Sequence, residues 1–243
     1  MSDARTALVT GGAARLGRAI VEELARAGWQ VAFTYRNSHM AAADLERSLA
    51  AEGSEVSAVH ADLGEPAAWS ELAATMSQRF DRLDALINSA AVFPATPVGE
   101  LTEAAFFEVM RTNLNAPLFL TLACAPMLRA SRGAVVNIAD IYGLFPLKRH
   151  LAYSVSKAAL IAATRSLAVE LAPEVRVNAV APGIAAFPDH YDQATRERLL
   201  ARTLLGREGG AAEIAGAVRY LLEGAVTMTG QVLVLDGGRT VTI

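Results

Sequence analysis

The chain has 243 residues, 53% of them hydrophobic and 19% charged, with a net charge of −3. That balance excludes a disordered chain, and with no Lys/Arg run longer than two residues it offers no electrostatic footprint for nucleic acid. A single cysteine, Cys124, excludes an internal disulfide and a cysteine metal cluster; it sits in an apolar stretch and reads as a small core residue.

The length suits one large α/β domain. The N-terminus shows no apolar run before a cleavage site. The longest charge-free apolar stretch, 112–128, carries two Asn and two Pro, a poor membrane span and a good buried helix. A soluble cytoplasmic protein is expected.

In chain order, a strand over 6–10 runs through glycines into a helix over 15–28. LVTGGAARLGRAI (8–20) is where an open α/β sheet binds a dinucleotide, its backbone N–H groups facing a pyrophosphate. A second strand, 30–35, ends in Tyr35-Arg36-Asn37-Ser38, and no acid occurs between Glu23 and Asp44. A carboxylate there would hold a ribose diol; an arginine and a hydroxyl suit a 2′-phosphate, with Arg15 as a second cation nearby. The cofactor expected is NADPH.

A helix over 40–52 leads to a strand over 55–60 and then Asp62, placed either to accept from an adenine amino group or to cap a turn. A helix over 66–79 and a strand over 83–88 end at Asn88. A helix spans 102–130, a strand 133–139, and Asp140 follows. The helix over 151–172 is apolar on more than one face, which calls for a second cover such as another subunit. It places Tyr153 and Lys157 on one face, where the ammonium favours the phenolate and lowers the tyrosine pKa. The strand over 175–181 precedes Pro182-Gly183 and a polar substrate loop at about 184–205, in which Phe187, His190 and Tyr191 reach toward a pocket. A helix over 211–222 and a strand over 231–236 close the chain. Each strand is nearly continuous in apolar residues, as strands buried on both faces are. The alternation implies a doubly wound parallel sheet with helices on both faces. The histidines at 39, 60, 150 and 190 show no metal-ligand spacing, so no metal site is expected.

TG-x-x-x-x-x-G (10–17), Asp62-Leu63, NSAA (88–91), Asn113, Tyr153-x-x-x-Lys157, Pro182-Gly183 and LDGG (235–238) together resemble the short-chain dehydrogenase/reductase family over essentially the whole chain. The resemblance implies a single Rossmann-type domain over 1–243 and hydride transfer. It implies a proton relay of Asn113, Tyr153 and Lys157, with Lys157 also on the nicotinamide ribose. Cofactor contacts carry over to Gly11, Leu16, Gly17, Asp62, Leu63, Asn88, Ala90, Pro182, Gly183 and Ile184. It implies a homotetramer assembled through helices at about 113–130 and 151–172.

Four positions depart from the common pattern. Arg15 stands where glycine is usual, Asp140 where a serine completes the catalytic set, and Ser89 where a second asparagine is usual. IAAF follows Gly183 without the threonine that helps hold the carboxamide. Asp140 bears most on chemistry. An ionised carboxylate about 4 Å from a developing oxyanion costs about 4 kcal/mol at an effective dielectric of about 20, about a thousandfold in rate. A ring with amino and N–H groups would instead donate to it. Arg15, Asp140 and the Tyr35–Ser38 stretch look like the pteridine reductase branch. There the arginine faces cofactor and substrate, the aspartate joins the catalysis, and an aromatic, here Phe93, sandwiches the pterin; Ala91 stands where that branch often has a serine. The expected activity is NADPH-dependent reduction of a dihydropterin, dihydrofolate among the candidates. The alternatives are a carbonyl reductase of 3-oxoacyl or sugar-alcohol type and a non-catalytic NADPH sensor.

Overall fold

The first strand, β1 (Thr6–Val9), is buried at every position. Burial on both sides follows from its place in the sheet. In the computed structural model, which describes residues 4–185, 187 and 192–241, β1 is flanked by β2 (Gln30–Tyr35) and β4 (Ala85–Asn88). With β3 (Val56–His60), β5 (Ala134–Ile138), β6 (Arg176–Pro182) and β7 (Val232–Leu235), the sheet among the described residues runs β3-β2-β1-β4-β5-β6-β7, every pair parallel. Strand order reverses between β1 and β4, the crevice where such sheets take ligands.

Alternate side chains feed two cores. Val9, Phe33 and Ile87 pack against α1 (Arg15–Arg26), α2 (His39–Ala51) and α8 (Gly210–Glu223) through Ile20, Leu24, Leu45, Val218 and Leu221. Leu8, Leu86 and Val135 face α3 (Ala67–Arg79), α5 (Ala116–Ser131) and α6 (Leu151–Leu171) through Leu72, Met76, Leu120, Leu128 and Leu167. Cys124 belongs to this second core, and burial pushes its thiol up to about 12. No helix among the described residues is long and apolar enough to cross a membrane.

Three expectations need correction. Burial on both faces holds for the central strands but not the edges: β3 is half-buried up to His60, which is exposed, and Val234 of β7 is exposed, because an edge strand has neighbours on one side only. The long helix expected over 102–130 is α4 (Glu103–Met110), a π turn (Arg111–Asn115) and α5. Pro117 in the first turn of α5 has no N–H to give, and the chain widens, Ala116 N–H reaching back to Arg111 O. The substrate loop contains a short helix, α7 (Gln193–Leu200), capped by Asp192 accepting from Thr195 N. None of its side chains is buried, so it leaves no apolar period in the sequence.

Candidate active site

The glycine loop is locked to its neighbours by backbone N–H groups that donate to two threonine hydroxyls and to the Thr34 carbonyl. Thr10 Oγ1 accepts from Ser89 N and Ala90 N, Gly11 N donates to Thr34 Oγ1, and Gly12 N to Thr34 O. A Cβ on Gly17 would fall on the Gly11 carbonyl, so only glycine lets α1 start against the loop. Arg15 adopts φ +50°, the left-handed region in which a glycine costs nothing and an L side chain costs about 1 kcal/mol. The first turn of α1 has neither an acid nor a side-chain cap, which leaves a cradle that fits a pyrophosphate. Leu16, Ala90, Gly183 and Ile184 are half-buried, and Pro182 is buried at the end of β6. Arg36, Asn37 and Ser38 are exposed beyond Tyr35.

Some expected contacts are spent elsewhere. Asp62 Oδ1 accepts from Gly64 N at 2.9 Å, the turn-capping role, and lies 3.8 Å from Arg36 Nη1. The Leu63 side chain packs into the second core. Asn88 Nδ2 donates to Asn137 Oδ1 at 2.8 Å and to Thr121 Oγ1 at 3.3 Å. The side chains of Leu63 and Asn88 therefore serve packing, and any contact of theirs with a cofactor falls to the backbone.

At the end of β5 the chain enters a 3₁₀ turn, 141–143, that lies against α6. Gly143 allows the approach, since a Cβ there would be 2.7 Å from the Lys157 carbonyl carbon. The turn aims Asp140. Its Oδ1 accepts from Tyr142 N at 2.8 Å and its Oδ2 from Tyr153 Oη at 2.8 Å. Lys157, 3% exposed, donates to Ile138 O at 2.6 Å and stands 5.7 Å from the Tyr153 ring centre.

Burial pushes the Asp140 carboxyl up against the pull of its hydrogen bonds and of the Lys157 and Arg239 charges. Burial brings Lys157 down to about 8. Tyr153 is pushed well above the ordinary phenol range, first by burial and then by the Asp140 carboxylate. This corrects the expectation that Lys157 lowers the tyrosine: the phenol is buried and its proton already points at a carboxylate.

Asn113 is fully buried on the π turn. It accepts from Val92 N and donates to Val92 O and to Ser156 Oγ, which in turn donates to Tyr153 O. Its side chain thus ties the 88–92 loop to α6 and does not itself reach Lys157. Phe93 is half exposed, edge-on to Tyr153 at 4.5 Å between ring centres and stacked on His150 at 4.4 Å. Phe187 lies 5.7 Å from the Arg196 guanidinium of α7; His190 and Tyr191 lie outside the described residues.

Two residues escaped the sequence reading. His150 joins the Phe93 wall, and its position just before the tyrosine helix was the available signal. Arg239 is 5% exposed and donates to Tyr142 Oη at 3.3 Å. The Asp236 carboxylate, accepting from Gly238 N and Thr240 N, turns the chain to bring it there. Nothing in the sequence sets it apart from other arginines. Among the described residues no three His, Cys, Asp or Glu side chains group to hold a metal ion.

A sequence profile described as enoyl-(acyl carrier protein) reductase matches residues 11–240. A cyclopentanol dehydrogenase from Comamonas testosteroni is 34% identical over 97% of this chain and 97% of that protein. A 3-oxoacyl-[acyl-carrier-protein] reductase from Synechocystis is 33% identical over 97% and 96%. The crystal structure of a blue fluorescent protein from a metagenomic library, in complex with NADPH, superposes with a TM-score of 0.89 at 31% identity, covering 97% of each chain.

Proposed function

The chain belongs to the short-chain dehydrogenase/reductase family, and on that premise we propose that it is an NADPH-dependent reductase of a flat heterocycle with a C=N bond, of the dihydropterin class. The observation that carries this reading is the Tyr153 Oη–Asp140 Oδ2 bond. A bound nicotinamide dinucleotide supplies the hydride. Gly11, Arg15, Leu16 and Gly17 hold its phosphates, Arg36, Asn37 and Ser38 its 2′-phosphate, and Asp62, Leu63, Asn88 and Ala90 its adenosine side. Pro182, Gly183 and Ile184 line its nicotinamide end, and Lys157 takes its ribose.

The side chains then divide the remaining work. Asp140 accepts from ring amino or N–H groups and directs the Tyr153 proton, by itself or through the phenol, to the ring nitrogen. Burial raises the Asp140 carboxyl, so it can take up a proton from solvent to replace the one passed to the ring. Lys157 balances the charge left behind. Asn113 fixes the geometry of Tyr153 through Ser156. Phe93, half exposed beside Tyr153, offers one face to the ring, and Arg15 an electrostatic partner to its carbonyl edge.

A second reading is reduction of a ketone, with a protonated Asp140 donating where serine would. The names of the relatives favour it, as does the raised Asp140 carboxyl. The test is oxidation of NADPH followed by absorbance with dihydrobiopterin, dihydrofolate, a 3-oxoacyl thioester and a cyclic ketone, repeated with Asp140→Ser. Pterin turnover lost in the variant supports the first reading. Ketone turnover that survives or improves in the variant replaces it with the second.

We further propose a homotetramer. The outward faces of α5 and α6 expose Phe119, Leu122, Val155 and Val169. Such an apolar surface fits a contact between copies. Sedimentation velocity with Val155→Glu tests it, and an unchanged mass would rule that face out.

A further inference from the structure

The C-terminal ends of β2 and β3 carry a ring cluster that the catalytic chemistry does not use. Tyr35 and His60 are register partners, and His39 opens α2. Tyr35 meets His39 edge-on at 5.1 Å and His60 at 5.5 Å, and the two imidazoles stack at 5.4 Å with an interplanar angle of 16°. Both histidines are exposed, and Arg36 follows Tyr35 in the chain.

Charge balance gives the cluster a role. Arg36 lies 3.8 Å from Asp62, so their formal charges cancel. A phosphate monoester is a dianion above its second pKa of about 6. Placed beside that pair, it would have at most the Arg15 charge, shared with the pyrophosphate, against its two. Of the other charges on the surrounding elements, Arg18 of α1 pairs with Glu22 and Asp44, Glu46 of α2 accepts from Ala58 N, and Arg47, two turns along α2 from His39, is exposed.

We propose that His39 and His60 complete the 2′-phosphate site with Arg36, taking up protons from solvent as the phosphate binds, so that the preference for the phosphorylated cofactor falls as pH rises. No covalent bond changes; the protons move from buffer to imidazole nitrogen. The proposal rests on the NADPH reading of the site.

The experiment is isothermal titration of the full chain with NADPH and with NADH, in two buffers of different ionisation enthalpy. It is repeated from about pH 7 to about pH 9, above the titration of the phosphate itself. The wild-type protein is expected to take up protons with NADPH but not with NADH. Its affinity ratio is expected to fall about tenfold across the range, the scale of one charge-assisted contact. In H39Q, H60Q and the double variant, the NADPH-specific uptake and the slope should shrink stepwise. Tighter binding of NADPH without proton uptake, or a slope unchanged in the double variant, would overturn the role of the histidines and leave the NADPH reading standing. NADPH binding no tighter than NADH at any pH would overturn the NADPH reading, and this proposal with it.

Discussion

The two halves of the cleft are built from different materials. On the β1–β3 side, the cradle presents main chain: backbone N–H groups and two threonine hydroxyls hold the loop, Gly17 is needed for a close approach, and the charged side chains, Arg36 and Asp62, stand in solvent at 49% and 42% side-chain exposure. On the β4–β6 side, recognition rests on side chains. Asn113, Asn137, Ser156 and Lys157 are nearly or fully buried, and each hydrogen-bonds a partner across elements or on the same helix. Exposed charges are screened and contribute little each, whereas a buried polar group is costly to orphan. A substitution should therefore weaken the first half gradually and break the second abruptly.

Tyr153→Phe is the severest test of that contrast. It removes the proposed proton donor and leaves Asp140 Oδ2 without its partner, and turnover should fall about a thousandfold with cofactor affinity nearly unchanged. A loss under tenfold in steady-state assays would show that Asp140 delivers the proton without the phenol.

Asp140→Asn separates stability from activity. The folded carboxyl is held above its unfolded value, so the folded protein binds more protons than the unfolded one in that window. Its ionisation then costs stability as pH rises above the ordinary carboxylate range. The isosteric amide avoids that cost. The variant is expected to lose about a hundredfold in turnover yet melt higher than wild type at neutral pH, with the difference vanishing in acid. A lower melting temperature at every pH would mean that the hydrogen bonds of Asp140 outweigh its burial.

Asn113→Ala removes the tie between Val92 and Ser156 and should cost about 2 kcal/mol in chemical denaturation, as loss of a buried bonded amide does. Lys157 sets a basic limit. Its folded pKa of about 8 lies below the ordinary lysine value, so its charge is a burden on the free protein that lifts as pH rises through about 8. The pH–rate profile should fall on that same limb, as the ammonium is lost. Lys157→Met should abolish the stability rise between about pH 8 and about pH 10.5.

The smallest effect belongs to the exposed half. Arg36→Ala should weaken NADPH binding about tenfold and leave NADH binding within a factor of about two, read by fluorescence titration. An equal loss for both cofactors would place Arg36 away from the 2′-phosphate.

The strands were legible because a central parallel strand is buried on both faces and must be apolar throughout; all seven appear within a residue or two of their expected ranges, and only the edges break the rule. The pairing of Tyr153 with Lys157 was equally legible, since helical spacing fixes which residues share a face. The π turn at 111–115 was not, because only the geometry around Pro117 declares it. Nor was the sense of the tyrosine shift. Sequence places a lysine four residues from the phenol, but burial and the direction of the Asp140 carboxylate decide which charge the phenol meets. Arg239 and His150 reach the site from turns whose paths depend on neighbouring elements.

The sequence by itself determined the strand order's raw material, the glycine cradle and which side chains are candidates for the reactive groups, because these follow from local pattern and residue chemistry. Tertiary structure decided which polar atoms are spent, which carboxylate oxygen faces the phenol and how far each charge is from water. Those depend on distances between segments remote in the chain, and electrostatic energy depends on distance and on surrounding dielectric.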